Sequence, residues 1–171
     1  MLRACPTTVV LHNPDGPVGS AQMATLRAMS GVTCDTGLVT GPEWAAAVAA
    51  LAVDVDRVAD RLRSLSEARL AAAVPGHASR AAAGWALAQA LAEVAQGVEE
   101  GPGEVPPRWR SVPRLGDLAV GDQVAVTGHD AVAALAGAGP DAPGWARSGR
   151  TGVDVLLTGA AAVLRELRGT L

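Results

Sequence analysis

Apolar residues along the chain fall into segments of helical period, separated by stretches rich in proline and glycine. The clearest segment begins at Pro42. Trp44, Val48, Leu51, Val55, Val58, Leu62 and Leu65 recur at alternating spacings of four and three, a heptad seam that continues more weakly through Arg69 and Ala72. Asp54, Arg57, Asp60, Arg61, Arg63 and Glu67 occupy the opposite face. There Asp54–Arg57, Asp60–Arg63 and Arg63–Glu67 are spaced to pair, each worth about 0.2–0.5 kcal/mol. Pro42 and Glu43 suit a helix start, and Pro75-Gly76 suits a stop. The pattern predicts a helix over about 43–74, roughly 45 Å long at about 1.5 Å per residue.

Ser79 serves as N-cap for a second helix over 79–100, whose stripe is Trp85, Ala88, Leu91, Ala95 and Val98, widened by Leu87 and Val94. So short a break predicts that the first two helices form an antiparallel hairpin. "GPGEVPPRWRSVPRLG" (101–116) cannot be helical and lets the chain cross to another edge. A last helix over 152–169, with Thr151 as cap, turns Val153, Leu156, Leu157, Ala160, Val163, Leu164 and Leu167 to one side and Arg165, Glu166 and Arg168 to the other.

"LAVGDQVAVTGHDA" (118–131) supports two readings. Leu118, Val120, Val124 and Val126 alternate like a strand, but Asp122 breaks the alternation. The only other strand-like piece is Thr7–His12, and a two-stranded ribbon is marginal alone. As a helix over 117–137, Gly121, Val124, Ala125, Gly128, Ala131, Val132 and Leu135 share one side, with Val120 and Val126 as misfits. Gly121 and Gly128 each cost about 1 kcal/mol relative to Ala, yet their bare backbone lets a neighbouring helix come close. The helix is preferred. The expected fold is therefore all-α: an antiparallel four-helix bundle over 43–171, preceded by an irregular arm over 1–42 in which Ser20 can cap a short helix to Met29.

Composition agrees with helices and removes several functions. The chain is 49% hydrophobic, with four Trp and no Phe or Tyr, so its helices must approach on Ala, Val and Leu. All fourteen basic residues are arginine. Without lysine there is no Schiff-base or pyridoxal-phosphate enzyme, no P-loop and no kinase-type phosphate lysine. Without Tyr or Phe there is no RRM-type stacking platform. The Arg-only, alanine-rich usage resembles that of high-GC bacterial genomes. A net charge of −3 argues against nucleic acid. No run reaches the ~20 apolar residues of a membrane span, and "MLRACPTTVV" has no signal-peptide core. The expectation is a cytoplasmic protein with Cys5 and Cys34 as free thiols, a Cys5–Cys34 disulfide being the alternative.

Candidate chemistry is sparse. Asp122 and His129 share a side of their helix but stand about 10 Å apart along its axis. His129 has no carboxylate or histidine three or four residues away, the spacing a helical metal pair needs. Asp56 and Asp60, one turn apart, read as part of a charged outer face. No catalytic residue, metal ligand or cofactor is therefore assigned. "RWRSVPR" places Arg108, Trp109, Arg110 and Arg114 in one connection, a group able to meet an acidic partner, a phosphate or a single-stranded nucleic acid, the last disfavoured by the acidic net charge; alternatively Trp109 tucks inward. The sequence points to a non-enzymatic bundle acting by self-association through the heptad seam, as a homo-oligomer, or by binding a protein partner. The alternative is a small-molecule binder or enzyme with an inter-helix pocket edged by Asp122 and His129.

Overall fold

The structure, a computed structural model, describes residues 41–171. The expectations for Thr7–His12, Ser20–Met29, Cys5 and Cys34 lie outside the described residues. The described part is mostly helical: α1 (Gly41–Arg63), α2 (Glu67–Ala71), α3 (Arg80–Glu99), α4 (Val120–Ala136) and α5 (Val153–Arg168), with a small ribbon of β1 (Pro143–Ala146) and β2 (Gly149–Gly152).

The first helix is shorter than its heptad pattern. A continuous helix would carry the seam on through Arg69 and Ala72. Instead α1 ends at Arg63, the chain turns, and α2 restarts at Glu67. The break leaves Arg69 exposed and brings Leu70 into the core at 1% exposure. Removing an arginine from the apolar side compensates for the lost helical hydrogen bonds. Pro75-Gly76 then makes a tight turn with Gly76 at φ +78, closed by a two-way hydrogen bond between Val74 and His77. Ser79 caps α3, its hydroxyl accepting from the Ala82 N–H at 2.9 Å.

The ambiguous segment is a helix. After one 3-10 turn (Asp117–Ala119), α4 runs through both glycines. A methyl group at Gly128 would fall on the side chain of Val55, and one at Gly121 would lie 2.9 Å from the Ala59 carbonyl oxygen. Both glycines are where α1 and α4 touch.

Helix directions differ from a simple antiparallel hairpin series. α1 runs antiparallel to α4: Trp44 lies at the Leu135 end, Val55 at Gly128 and Arg63 at Gly121. It runs parallel to α5, with Arg168 against Asp54 and Arg61 against the Leu171 carbonyl. α3 is antiparallel to α5, where Gly97 meets Leu156 and Leu87 shares a cleft with Leu167. It is parallel to α4, where Gly84 meets Val120 near both starts. α1 and α3, expected as a hairpin, pack mainly on α4 and α5. The cause is the connection between them, which spans 64–79 and includes α2 rather than a four-residue turn.

The ribbon was not anticipated. Gly149 takes φ +133, and Pro143–Ala146 pairs with Gly149–Gly152. Thr151 therefore lies in β2, and Gly152 is the N-cap of α5 with no side-chain cap. Gly97 lets this ribbon press on α3, because any β-carbon there would strike the Trp145 carbonyl.

All seven residues of the Trp44–Leu65 seam are at most 6% exposed within the single chain. They pack in one core with Leu87, Leu91, Val124, Leu135, Val153 and Leu164. The seam is occupied by the chain's own helices and leaves no coiled-coil stripe for a second copy.

Candidate functional site

The crossing from α3 to α4 builds the most developed surface feature. From about Pro107 the chain runs back along α3 as an extended strap. An extended strap needs partners for its backbone groups, and glutamine side chains provide them. Gln96 Oε1 accepts from the Arg110 N–H at 2.7 Å, while its Nε2 donates to the Arg110 carbonyl at 3.2 Å and to Ala92 at 3.0 Å. Gln89 Oε1 accepts from the Val112 N–H at 2.8 Å, and the Trp85 indole donates to the Val112 carbonyl at 3.3 Å. From α4, Gln123 Nε2 donates to the Pro113 carbonyl at 2.6 Å. The amides act as a neighbouring strand would, and their polarity is satisfied by doing so.

Arginine–tryptophan contacts fasten the same region. The Arg147 guanidinium covers Trp109 at 5.2 Å and holds Glu93 at 2.7 Å, while Glu93 also accepts from Gln89 at 2.9 Å. Arg114 lies over Trp85 at 5.7 Å. Arg150 lies over Trp145 at 5.1 Å and donates to the carbonyls of Gly103 and Gly101. Each such stacking is worth about 0.5–1 kcal/mol at exposed sites. The "RWRSVPR" residues thus divide between inward and outward roles. Trp109 and Arg114 are engaged within the chain, Arg110 stands 4.0 Å from Glu99, and Arg108 is exposed.

Between strap, α3 and α4 lies a groove of about 540 Å³. Ala92 and Ala95 form the α3 wall, Val112, Pro113 and Leu115 the strap wall, and Asp122, Val126 and Asp130 the α4 wall, with Gln96, Gln123 and Thr127 below. The groove exists because α3 carries alanines where larger side chains would fill the space. Its buried polar groups are internally engaged, Thr127 donating to the Gln123 carbonyl at 2.9 Å. Leu115 and Val126, which line it, stand 55% and 62% exposed.

Asp122 and His129 are not brought together. Asp122 is on the groove and accepts from Arg63 Nε at 2.8 Å. His129 is turned to α1, where its Nε2 lies 2.8 Å from Asp56. It does not line the groove, and the neighbouring Asp130 does. The pair anticipated between Arg63 and Glu67 is replaced by Arg63 with Asp122 and Asp60, while Asp54 pairs with Arg57 and Arg168. Hydrogen bonding to Asp122, then to Asp60, holds the Arg63 guanidinium above the usual arginine value; Glu93 does the same for Arg147. A raised value keeps the folded-state contribution in place below the unfolded-chain value and loses it only as pH climbs through the folded one. Both side chains are fixed cations throughout the neutral range.

Among the described residues, no group of three or more His, Cys, Asp or Glu side chains is placed to hold a metal, and no helix is long and apolar enough to cross a membrane. Comparison with known protein families, with curated proteins and with solved structures finds no match.

The residues that shape this site carried one legible sign. Gln89, Glu93 and Gln96 lie on one side of a helix otherwise built from alanine and leucine. Amides on such a helix call for backbone partners, and the non-helical stretch after it had backbone groups to satisfy.

Proposed function

We propose that this chain is a non-catalytic four-helix-bundle protein that works by binding a partner protein along the α3–α4 groove. The observation that carries the reading is that two exposed apolar side chains, Leu115 from the strap and Val126 from α4, line the groove together with Ala92 and Ala95 of α3. An apolar groove between helices is the kind of surface into which a partner's amphipathic helix lays its apolar face. Self-association through the α1 seam has no such support, since the seam is internal. The groove volume also lies within the roughly 300–1,000 Å³ of small-molecule sites, which makes a small ligand the second reading.

Capture from cells that carry this chain tests the proposal. The baits are the wild-type chain, Ala92→Trp to fill the groove, and His129→Ala on the other side of α4, each checked for fold by circular dichroism. A protein retained by wild type and His129→Ala but lost with Ala92→Trp supports the reading. Retention unaffected by Ala92→Trp contradicts it.

A further inference from the structure

Resting on the groove as a binding surface, we infer that its occupant is a basic amphipathic helix of the partner. The lining residues include three carboxylates, Glu99, Asp122 and Asp130, against one guanidinium, Arg110. Asp122, Val126 and Asp130 follow one another at four-residue steps, so acid, apolar and acid groups run along a single ridge about 12 Å long. Across from that ridge the α3 wall is alanine, Ala92 and Ala95. A helix laid along it can seat its own leucine-sized side chains on Ala92 and Ala95 while cations spaced about two turns apart meet Asp122 and Asp130.

The acids differ in how far they are already engaged. Asp122 is tied to Arg63 at 2.8 Å. Glu99 has only Arg110, at 4.0 Å. Among the described residues Asp130 has no ion-pair partner. Glu99 and Asp130 therefore carry most of the attraction for an incoming cation. The amides and hydroxyl below them are engaged within the chain, so the alanine wall takes apolar atoms and the rim positive charge. That combination selects a helix with one apolar stripe flanked by Lys or Arg, and disfavours an acidic one by like-charge repulsion.

The test uses the full chain and a fluorescein-labelled 14-residue amphipathic helix of Leu and Lys, with a Leu/Glu peptide of the same apolar pattern as counterpart. Binding is followed by fluorescence anisotropy at about 0.05 M and 0.5 M NaCl, where screening lengths differ several-fold. The Leu/Lys peptide is expected to bind at least about ten-fold tighter than Leu/Glu and to weaken in high salt. The double variant Glu99→Gln/Asp130→Asn should bind Leu/Lys roughly 3–10-fold more weakly and lose part of the salt dependence, as two rim charges imply. Ala92→Trp should abolish binding. Equal binding of both peptides, with both blocked by Ala92→Trp, overturns the basic-helix assignment and leaves the groove as a binding surface. Leu/Lys binding that ignores Ala92→Trp overturns both. Absence of Leu/Lys binding at about 100 μM overturns the basic-helix assignment, while the capture experiment still reports on the groove.

Discussion

Alanine in place of glycine should have opposite signs at two helical positions, and the difference follows from what each new methyl group meets. Gly159 is an exposed residue inside α5 with nothing within 4 Å of the position a β-carbon would take. Gly159→Ala should therefore gain the full difference in helix propensity, about 1 kcal/mol. That raises Tm by about 4 °C for a domain of this size. At Gly128 the same carbon would lie 2.9 Å from Val55 Cγ2 and 3.2 Å from its Cβ, and nearer still to Cγ1. Carbon atoms prefer about 3.5–4.0 Å. Val55 cannot swing away, because it is fully buried and a valine in a helix is nearly confined to one rotamer. Separating α1 from α4 to relieve the clash costs about 1–3 kcal/mol, as overpacked cores do. Set against the propensity gain of about 1 kcal/mol, Gly128→Ala should be a net destabilisation of up to about 2 kcal/mol. Urea unfolding followed by circular dichroism measures both variants. Adding Val55→Ala removes the two γ-carbons, so Gly128→Ala in that background should become neutral or stabilising. The double-mutant cycle should show about 1–3 kcal/mol of coupling. If Gly128→Ala stabilises as Gly159→Ala does, or the cycle shows no coupling, α1 and α4 do not meet as described.

Gln96→Leu should free the strap, leaving the Arg110 N–H and carbonyl without the partners that hold them at 2.7 and 3.2 Å; loss of a buried partner costs about 1–3 kcal/mol. Amide exchange at Arg110 should accelerate well beyond that at Val112, which Gln89 holds; equal protection before and after the substitution would contradict the strap's anchoring. Trp44→Phe removes the indole N–H that donates to the Ala138 carbonyl at 2.9 Å and to Leu135 at 3.3 Å. Thermal unfolding should show a loss of about 0.5–1.5 kcal/mol, with faster exchange confined to the end of α4; unchanged exchange there would refute the contact. Arg147→Met should shift the Trp109 resonance of the 5-fluorotryptophan-labelled chain while that of Trp44 stays fixed, because only Trp109 is covered by that guanidinium; an unmoved Trp109 signal refutes the stacking.

Local periodicity carried the helices and their inward faces. The seven seam positions from Trp44 to Leu65 are buried as their spacing implied, and the two glycines of α4 lie at a helix contact. What spacing could not carry was which helices would be neighbours. The heptad pattern continued past Arg63, so the break that sends Leu70 inward was invisible to a rule that counts threes and fours. That break moved α3 away from α1, and the long return of the strap set α3 parallel to α4. The ribbon over 143–152 was missed because "PGWARSGRTG" has no alternating apolar run; its register comes from the turn at Gly149 and its support from Gly97. At the site, Asp122 was found for its position on α4, but its link to His129 assumed that an edge is one environment. α4 lies between two neighbours, so His129 meets α1 while Asp130, one residue on, meets the groove. The strap's arginines and Trp109 were recognisable as interacting residues, but their partners, Arg147 for Trp109 and Trp85 for Arg114, lie too far along the chain for spacing to indicate.

On the proposed reading, the strap and the parallel helices α3 and α4 form a surface for a partner helix. Backbone amide chemical-shift mapping of the ¹⁵N-labelled full chain, titrated with the Leu/Lys peptide, tests it most directly. Shifts are expected to concentrate at Ala92, Ala95, Glu99, Val126 and Asp130 and to be absent in the Ala92→Trp variant. Shifts gathered instead along α5 and the outer face of α1, unchanged by that variant, would contradict it.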